Sequence, residues 1–447
     1  MLCIPLSFKR AGFIHIYSSR HIMRRNFQTL PWTLSTNCYE VNVRQYTPEG
    51  TFKAFATHLP RLKEMGVDML WFMPIQPISK KIRQGTLGSY YACSSYIAVN
   101  PEFGNLDDFT LLVDKAHELG MKVIIDWVAN HTGWDHKWTE YHPGFYKKDA
   151  SGNFYDKHGW HDVIDLNYYD AGMRKAMIES MTFWVEACDI DGFRCDMAHL
   201  VPLDFWREAR TSLDAKKPLF WLAETEDINY MQVFDCCYAW EWMHMTEKYI
   251  KSQISLVQLR QLLDTNLSRF PTDTFQLYFT SNHDENSWNG TEYEKYGDAA
   301  QMLAVFSCLW PGIPLIYSGQ EQPNLRRLKF FDKDQIDWNG TPALHDFYST
   351  LLGLKQSHPA MNSSSGVRPS WIANNNEDHI MSFKRQEGSA AMIAVLNFAG
   401  HAHDVHLSCE QCGGVYRELF SGGEHRFEEG TLFGVAPWGY KIFVKQL

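Results

Sequence analysis

The chain has 447 residues, of which 45% are hydrophobic and 21% charged, so it can bury one large core and one or two smaller ones. The formal net charge of −10 argues against nucleic acid as the main partner. No apolar run reaches the length of a membrane span, and ten cysteines in so long a chain do not indicate a disulfide framework.

Residues 1–37 carry scattered basic side chains without a continuous apolar segment, so no secretory signal is evident. We interpret this stretch as an extended lead-in, within which either Met1 or Met23 is a candidate translation start. A cytoplasmic protein is the resulting expectation.

From Cys38 onward, short apolar runs alternate with helical patterns, and Gly66 and Gly120 are predicted to end two of the helices. The predicted strands are Cys38–Val43, Val67–Pro74, Met121–Val128, Ile190–Asp196, Pro218–Glu224, Val233–Tyr238, Phe275–Thr280 and Ile313–Gly319. Eight strands that alternate with helices predict a (β/α)8 barrel, here formed by residues 38–132 and 166–360.

Two regions depart from this alternation. Residues 133–165 are rich in His, Trp, Gly and Asp without periodicity, which predicts a short lobe inserted after the third strand. Residues 361–447 change to short strands between Gly-rich turns, which predicts a separate antiparallel β-sandwich domain. Within that domain, Cys409 and Cys412 lie near several histidines, but no second Cys-x-x-Cys accompanies them, so a zinc site is disfavoured.

Four of the predicted barrel strands end in an acid, and parallel barrel strands bring their C-terminal ends to one rim. A single acid there is a common helix cap, but four at one rim would repel one another unless function retained them. Arg194 and Asp196 share a strand face, so the guanidinium favours an ionised Asp196. Glu224 follows an apolar run, which raises the pKa of a carboxyl and suits a general acid. The acids are Asp126, Asp196, Glu224 and Asp284.

Several segments match a known family. The strongest are Asp126-Trp127-Val128-Ala129-Asn130-His131, Gly192-Phe193-Arg194-Cys195-Asp196, Ala223-Glu224 and Phe279-Thr280-Ser281-Asn282-His283-Asp284. Gly88-Ser89-Tyr90-Tyr91 and the segment 312–321 add to them. In this order and at this spacing, they make the chain resemble the α-amylase superfamily, glycoside hydrolase family 13, from Cys38 nearly to the C-terminus.

The resemblance implies a retaining glycosidase that hydrolyses α-1,4-glucosidic bonds in starch-like glucans or malto-oligosaccharides. It implies that Asp196 is the nucleophile, that Glu224 is the general acid and base, and that Asp284 stabilises the distorted sugar. It also implies a set of substrate contacts, namely Tyr91, His131, Arg194, His283 and Asp126. Trp134, Trp160, Trp240 and Trp288 are candidate sugar platforms, although each also suits rim packing.

The resemblance further implies calcium between barrel and lobe, held by Asn130 and by an acid such as Asp165, since hard oxygen ligands suit that ion. The lobe is short, however, and the family's usual Lys-His pair after the nucleophile is His199-Leu200 here. A plain polar contact between Asn130 and Asp165 is therefore the alternative to a calcium site.

Three other functions stay open. A 4-α-glucanotransferase or a disaccharide isomerase of the same fold would resolve the intermediate with a sugar hydroxyl instead of water. A non-catalytic relative would act as a binding subunit, but such relatives usually lose at least one of the three acids. A barrel metallohydrolase would use His131, His199 and His283, yet no His-x-His pair occurs on the first strand.

Overall fold

The computed structural model describes residues 25, 27–363, 367–408, 412–428, 430 and 432–445. Within these ranges the predicted fold class is confirmed: eight parallel strands close into a barrel, and antiparallel sheets follow. Most of the predicted lead-in, and Cys409 of the Cys-x-x-Cys pair, lie outside the described residues.

All eight predicted barrel strands form, each shorter than its sequence pattern suggested. In chain order, with the two short lobe strands β4 and β5 included, they are Cys38–Val41 (β1), Met69–Phe72 (β2), Lys122–Trp127 (β3), His131–Gly133 (β4), Val163–Asp165 (β5), Gly192–Cys195 (β6), Phe220–Ala223 (β7), Cys236–Tyr238 (β8), Phe275–Tyr278 (β9) and Ile313–Tyr317 (β10). The barrel closes in the order β1-β10-β9-β8-β7-β6-β3-β2, while β4 and β5 pair with each other at the root of the inserted lobe.

The α-helices are Val43–Tyr46 (α1), Phe52–Ala56 (α2), Leu59–Glu64 (α3), Leu106–Glu118 (α4), Lys137–Tyr141 (α5), Ala171–Cys188 (α6), Leu203–Asp214 (α7), Trp240–Ile250 (α8), Leu256–Arg269 (α9), Glu292–Tyr296 (α10), Ala300–Leu309 (α11) and His345–Ser357 (α12). The apolar pattern over residues 52–65 suggests one helix, but the structure has two. Pro60 lies in the first turn of α3, where its missing N–H is tolerated, and it would break a continuous helix.

One hydrophobic core fills the barrel interior, and it follows the two-residue period of the strands. Cys38, Ile124, Phe220 and Leu222 belong to it and are completely buried. The next position on the same face of each strand, toward its C-terminal end, is polar: Glu40, Asp126 and Glu224. Each strand therefore points apolar side chains into the barrel and then a charged one at its mouth.

Gly192 shows how closely two of these strands approach. A Cβ atom at this position would lie 2.0 Å from the carbonyl oxygen of Phe220 on β7. Only glycine permits that contact, so Gly192 fixes the packing of β6 against β7 and thereby the start of the Arg194–Asp196 segment.

Beyond the barrel, one six-stranded antiparallel sheet has the order β11-β12-β13-β18-β15-β16, and β14 pairs with β17. These strands are Ser370–Trp371 (β11), Ile380–Glu387 (β12), Ala390–Asn397 (β13), His403–Val405 (β14), Val415–Glu418 (β15), Glu424–Arg426 (β16), Phe433–Val435 (β17) and Tyr440–Lys445 (β18). Arg385 is buried against the barrel, where it donates to the carbonyl oxygen of Leu309 at 3.0 Å. None of the helices in the described part of the chain combines the length and apolarity needed to cross a bilayer.

Candidate active site

The strand ends at the mouth of the barrel surround a cavity of about 780 Å³. Its lining contains all three acids for which a catalytic role is predicted, together with two of the predicted substrate contacts: Asp196, Glu224, Asp284, Tyr91 and His131. Residues that directly follow β6 and β7 thus meet at one place with residues from the loops after β9 and β2 and from the root of the lobe.

Arg194 links the acids beneath this cavity and is itself completely buried. Its Nη1 atom lies 2.9 Å from an oxygen of Asp126 and 2.9 Å from Oδ1 of Asp196. Its Nη2 atom lies 2.9 Å from Oε2 of Glu224. Asp196 and Glu224 therefore form ion pairs with the two terminal nitrogens of one rigid guanidinium, which brings the two acids close together.

Asp196 and Glu224 differ in their pKa values. Burial raises the pKa of Glu224 to about 7, and the nearby carboxylates Asp196 and Asp284 add to the rise against the opposing Arg194. Burial also raises the pKa of Asp196, to about 6, although Arg194 lowers it. The sequence predicted that Arg194 would dominate at Asp196; burial outweighs it, but the predicted order of the two carboxyls remains.

The residue after Asp196 also contacts Glu224. Met197 adopts a left-handed conformation with φ 41° and ψ 45°, which is rare for a residue with a side chain. Its backbone N–H donates to Oε2 of Glu224 at 2.8 Å. The backbone at Met197 therefore links Asp196 to Glu224 in addition to Arg194. Unfavourable backbone conformations of this kind often occur at functional sites.

Asp284 and His283 form a second charged group at the mouth. Nε2 of His283 lies 3.2 Å from Asp284 and 2.7 Å from the hydroxyl of Tyr91, and Nδ1 lies 2.5 Å from Oε1 of Glu40. Burial acts to lower the pKa of His283, but Asp284 and Glu40 outweigh it and raise this pKa well above its ordinary value. His283 is thus an imidazolium that holds two carboxylates. It lowers the pKa of Asp284 although burial acts to raise it.

Glu40 is a functional residue that the sequence analysis missed. Its side chain is completely buried, and its Oε2 has no hydrogen-bond partner among the described residues. The sequence did contain an indication of this residue, because Glu40 is a charged residue inside an apolar strand, two positions after the inward-facing Cys38. The rule that found acids at the other strand ends applies equally to β1.

Three predicted substrate contacts lie behind the cavity and not in its lining: Asp126, Arg194 and His283. Asp126 is completely buried and accepts hydrogen bonds from the hydroxyl of Tyr91 at 3.0 Å and from Nε1 of Trp71 at 3.3 Å. Asp126 and Arg194 therefore contact and position side chains that line the cavity, such as Tyr91 and Asp196. His131 does line the cavity, and burial lowers its pKa to about 4, so its imidazole is neutral.

Of the four candidate platforms, Trp160 and Trp288 line the cavity, while Trp134 and Trp240 do not. Trp288 lies in a π-helical turn, Glu285–Asn289, directly after Asp284, and half of its side chain is exposed. π-Helical turns are rare and often occur at functional sites. The exposed indole rests against Phe330, with ring centroids 5.3 Å apart, so the turn presents an aromatic face beside the acids.

The residues predicted to hold calcium do not fit that ion. Asp165 is completely buried, and its Oδ2 lies 3.0 Å from the ammonium of Lys147. Calcium requires about six to eight oxygen ligands and would compete with this cation for the same carboxylate. The side-chain nitrogen Nδ2 of Asn130 lies 3.1 Å from Nδ1 of His131. Among the residues that the structure describes, no group of three His, Cys, Asp or Glu side chains could hold a metal ion.

A (β/α)8 barrel whose mouth gathers three carboxylates and aromatic side chains around one cavity is typical of glycoside hydrolases that work with paired acids. The chain belongs to the α-amylase family of glycoside hydrolases. The family model described as "Alpha amylase, catalytic domain" matches residues 15–144 and 144–350, and the one described as "Alpha amylase, C-terminal all-beta domain" matches residues 371–436.

Curated relatives are distant in sequence. The α-amylase MalA of Haloarcula japonica is 25% identical over 428 residues, which cover 91% of this chain and 61% of the relative. An α-1,4-glucan:maltose-1-phosphate maltosyltransferase of Rhodospirillum rubrum is 24% identical, over 81% of this chain and 57% of the relative. The chain thus spans about three fifths of the length of these two relatives.

Solved structures match more completely. An α-amylase of Lactobacillus plantarum is 30% identical with a TM-score of 0.84, and the match covers 93% of this chain and 99% of that one. A noncanonic maltogenic α-amylase, AmyB of Thermotoga neapolitana, is 29% identical with a TM-score of 0.84 and coverages of 92% and 99%.

Proposed function

We propose that this enzyme hydrolyses α-1,4-glucosidic bonds of malto-oligosaccharides or starch-like glucans with retention of configuration. The observation that carries the proposal is the anchoring of Asp196 and Glu224 to one guanidinium, at 2.9 Å each, beneath a cavity that Asp284 also lines. Cleavage of a sugar acetal uses two positioned carboxyls, one as acid and one as nucleophile, and a third carboxylate nearby stabilises the positive charge that develops.

In the first step, a carboxylate oxygen of Asp196 attacks the anomeric carbon while Glu224 gives its proton to the departing glycosidic oxygen. Because the pKa of Glu224 is raised to about 7, a large fraction of the Glu224 carboxyls carries this proton near neutral pH. In the second step, the Glu224 carboxylate takes a proton from water, the resulting hydroxyl attacks the same carbon, and the bond to Asp196 breaks.

The remaining groups act on the charge that develops in the sugar ring. The transition state resembles an oxocarbenium ion, so the carboxylate of Asp284 stabilises it. Tyr91, Trp288 and Trp160 offer aromatic faces against which sugar rings pack. The neutral imidazole of His131 acts as a hydrogen-bond partner of sugar hydroxyls. His283 acts from behind the cavity, where it positions Asp284 and Tyr91.

A transglycosylase is the second candidate, because one relative is named for transfer of maltosyl groups instead of hydrolysis. Both reactions share the covalent intermediate and differ only in whether water or a sugar hydroxyl attacks it. The arrangement of the acids is the same for either outcome.

The test is incubation of the enzyme with maltoheptaose, starch, pullulan and sucrose, in ordinary and in isotopically labelled water, with chromatography and mass spectrometry of the products. The proposal predicts shorter malto-oligosaccharides that carry label at the new reducing end. Unlabelled products longer than the substrate would identify the transglycosylase. Inactivity on all four substrates would contradict both.

A further inference from the structure

The root of the inserted lobe contains a charge pair that no catalytic role explains. The carboxylate of Asp165, completely buried at the end of β5, meets the ammonium of Lys147 at 3.0 Å. The backbone N–H of Lys147 also donates to the carbonyl oxygen of Asp165 at 3.0 Å. Lys147 keeps a third of its side chain exposed, so the ammonium reaches inward from the surface to the buried acid.

This pair lies directly behind the active site. The pairing of β4 with β5 puts Asp165 opposite His131, which lines the catalytic cavity. Two further contacts hold the same layer together. The hydroxyl of Tyr146, next to Lys147, lies 3.0 Å from the hydroxyl of Thr132, and the N–H of Leu166 donates to the carbonyl oxygen of Asn130 at 3.0 Å.

The buried carboxylate needs a cation, because an unpaired charge inside a protein is strongly destabilising. A divalent ion is the solution that the family resemblance implies for this place. Here one oxygen of Asp165 holds Lys147, and its other oxygen, Oδ1, has no hydrogen-bond partner in the described part of the chain. One ammonium neutralises one carboxylate, so Asp165 itself keeps no unpaired charge to attract calcium.

We propose that the ammonium of Lys147 does in this protein what a bound calcium ion would do: it neutralises Asp165 and fixes the root of the lobe behind His131. The root of the lobe is then stabilised by a side chain of the protein and not by a bound ion. Folding and substrate binding do not depend on a metal at this place, and Lys147 is a positioning residue for His131.

The first test uses the unaltered enzyme and measures its Tm and its kcat/KM on maltoheptaose after exhaustive treatment with EGTA, with and without excess calcium chloride. The proposal predicts that both quantities are the same in the two samples. A Tm or kcat/KM that falls after chelation and returns with calcium would overturn it, whatever the substrate preference of the enzyme proves to be.

The second test compares four variants: Lys147→Met, Asp165→Asn, the double variant of these two, and Lys148→Met as the matched control. Lys148 is the exposed neighbour, whose ammonium lies 5.5 Å from the ring of Phe154 and pairs with no acid in the described residues. Because Lys147→Met leaves a buried carboxylate unpaired, we expect its Tm to fall by about 2–5 °C, a figure discounted for the partial exposure of the lysine.

The double variant removes both charges, so it should recover a part of the Tm that Lys147→Met loses, and Lys148→Met should match the unaltered enzyme. Since Lys147 positions His131, Lys147→Met should raise KM for maltoheptaose more than it lowers kcat. A double variant no more stable than Lys147→Met, or a Lys147→Met enzyme that unfolds like the Lys148→Met control, would refute the pairing.

Discussion

The mouth of the barrel and the root of the lobe both bury carboxylates, but they balance the charge differently. At the lobe root, one acid meets one base, Asp165 with Lys147. At the mouth, Arg194 and His283 are shared among five acids: Glu40, Asp126, Asp196, Glu224 and Asp284. A balanced pair leaves no buried charge without a partner, whereas an excess of buried negative charge costs stability and suits a reaction that develops positive charge.

This difference predicts opposite consequences when a charge is removed. Neutralising an acid at the mouth should reduce activity, most strongly at Asp196 and Glu224, and leave stability unchanged or raised, because repulsion is relieved. Neutralising the ammonium at the lobe root should lower stability and affect turnover less. The following predictions sharpen this contrast, in order of decreasing effect.

The largest effect is expected for Asp196→Asn. We predict a loss of kcat of about 10⁴-fold or more, because an amide oxygen cannot form the covalent intermediate. The Tm should not fall, since Asp126 still neutralises Arg194. Steady-state kinetics and thermal unfolding of the same sample measure both. If Asp196→Asn lowered the Tm as much as Lys147→Met does, the proposed difference in charge balance between the barrel mouth and the lobe root would be wrong.

The next effect is expected for Glu224→Gln, which keeps the size of the side chain but cannot donate a proton. We predict a loss of about 10²–10⁴-fold on maltoheptaose. A maltosyl fluoride needs no protonation of its leaving group, so its kcat/KM, which reports the first step, should be far less impaired than that of maltoheptaose. Equal losses of kcat/KM on the two substrates would show that Glu224 is not the general acid.

A smaller effect is expected for Glu40→Gln. The amide can still accept from Nδ1 of His283, but without the negative charge the pKa of His283 should fall. We predict a loss of kcat/KM of about 10-fold, the cost of one charge-assisted hydrogen bond, while Glu40→Ala should lose more. Titration of His283 by NMR provides the direct measurement. An unchanged His283 pKa in Glu40→Gln would exclude this positioning role.

The mildest perturbation is pH itself. Glu224 must be protonated and has a pKa of about 7, so kcat/KM should fall as the pH rises above this value. Asp196 must be ionised and has a pKa raised by burial to about 6, so activity should also fall as the pH drops through it. The expected profile is a narrow bell, measured on maltoheptaose at constant ionic strength. A flat profile from pH 5 to pH 9 would contradict these assignments of acid and nucleophile.

The two regions also differ in how far the sequence predicted them. Asp126, Asp196, Glu224 and Asp284 were found because each follows an apolar run of the strand period, and the barrel brings such ends together. Glu40 fits the same rule, but the predicted strand Cys38–Val43 places it in the middle. In the structure this strand ends at Val41, so Glu40 lies near its C-terminal end.

The lobe root could not be predicted in the same way. Lys147 and Asp165 are 18 positions apart in a segment without periodicity, so no pattern indicates that they meet. The β4–β5 pairing that brings Asp165 opposite His131 involves strands of only three residues each, too short to show an alternation. Contacts of this kind depend on tertiary packing, and the resemblance to a calcium-binding family suggested a different partner for the same acid.

The most direct test of the catalytic account is the identity of the residue that carries the sugar during turnover. Glu224→Gln enzyme mixed with a maltosyl fluoride should accumulate the covalent intermediate, since fluoride leaves without an acid and the base for the second step is missing. Mass spectrometry of the digested protein should then find the maltosyl group on the peptide that contains Asp196, attached at that residue. A maltosyl group on any other residue, or hydrolysis of the fluoride with inversion and no labelled peptide, would contradict the account.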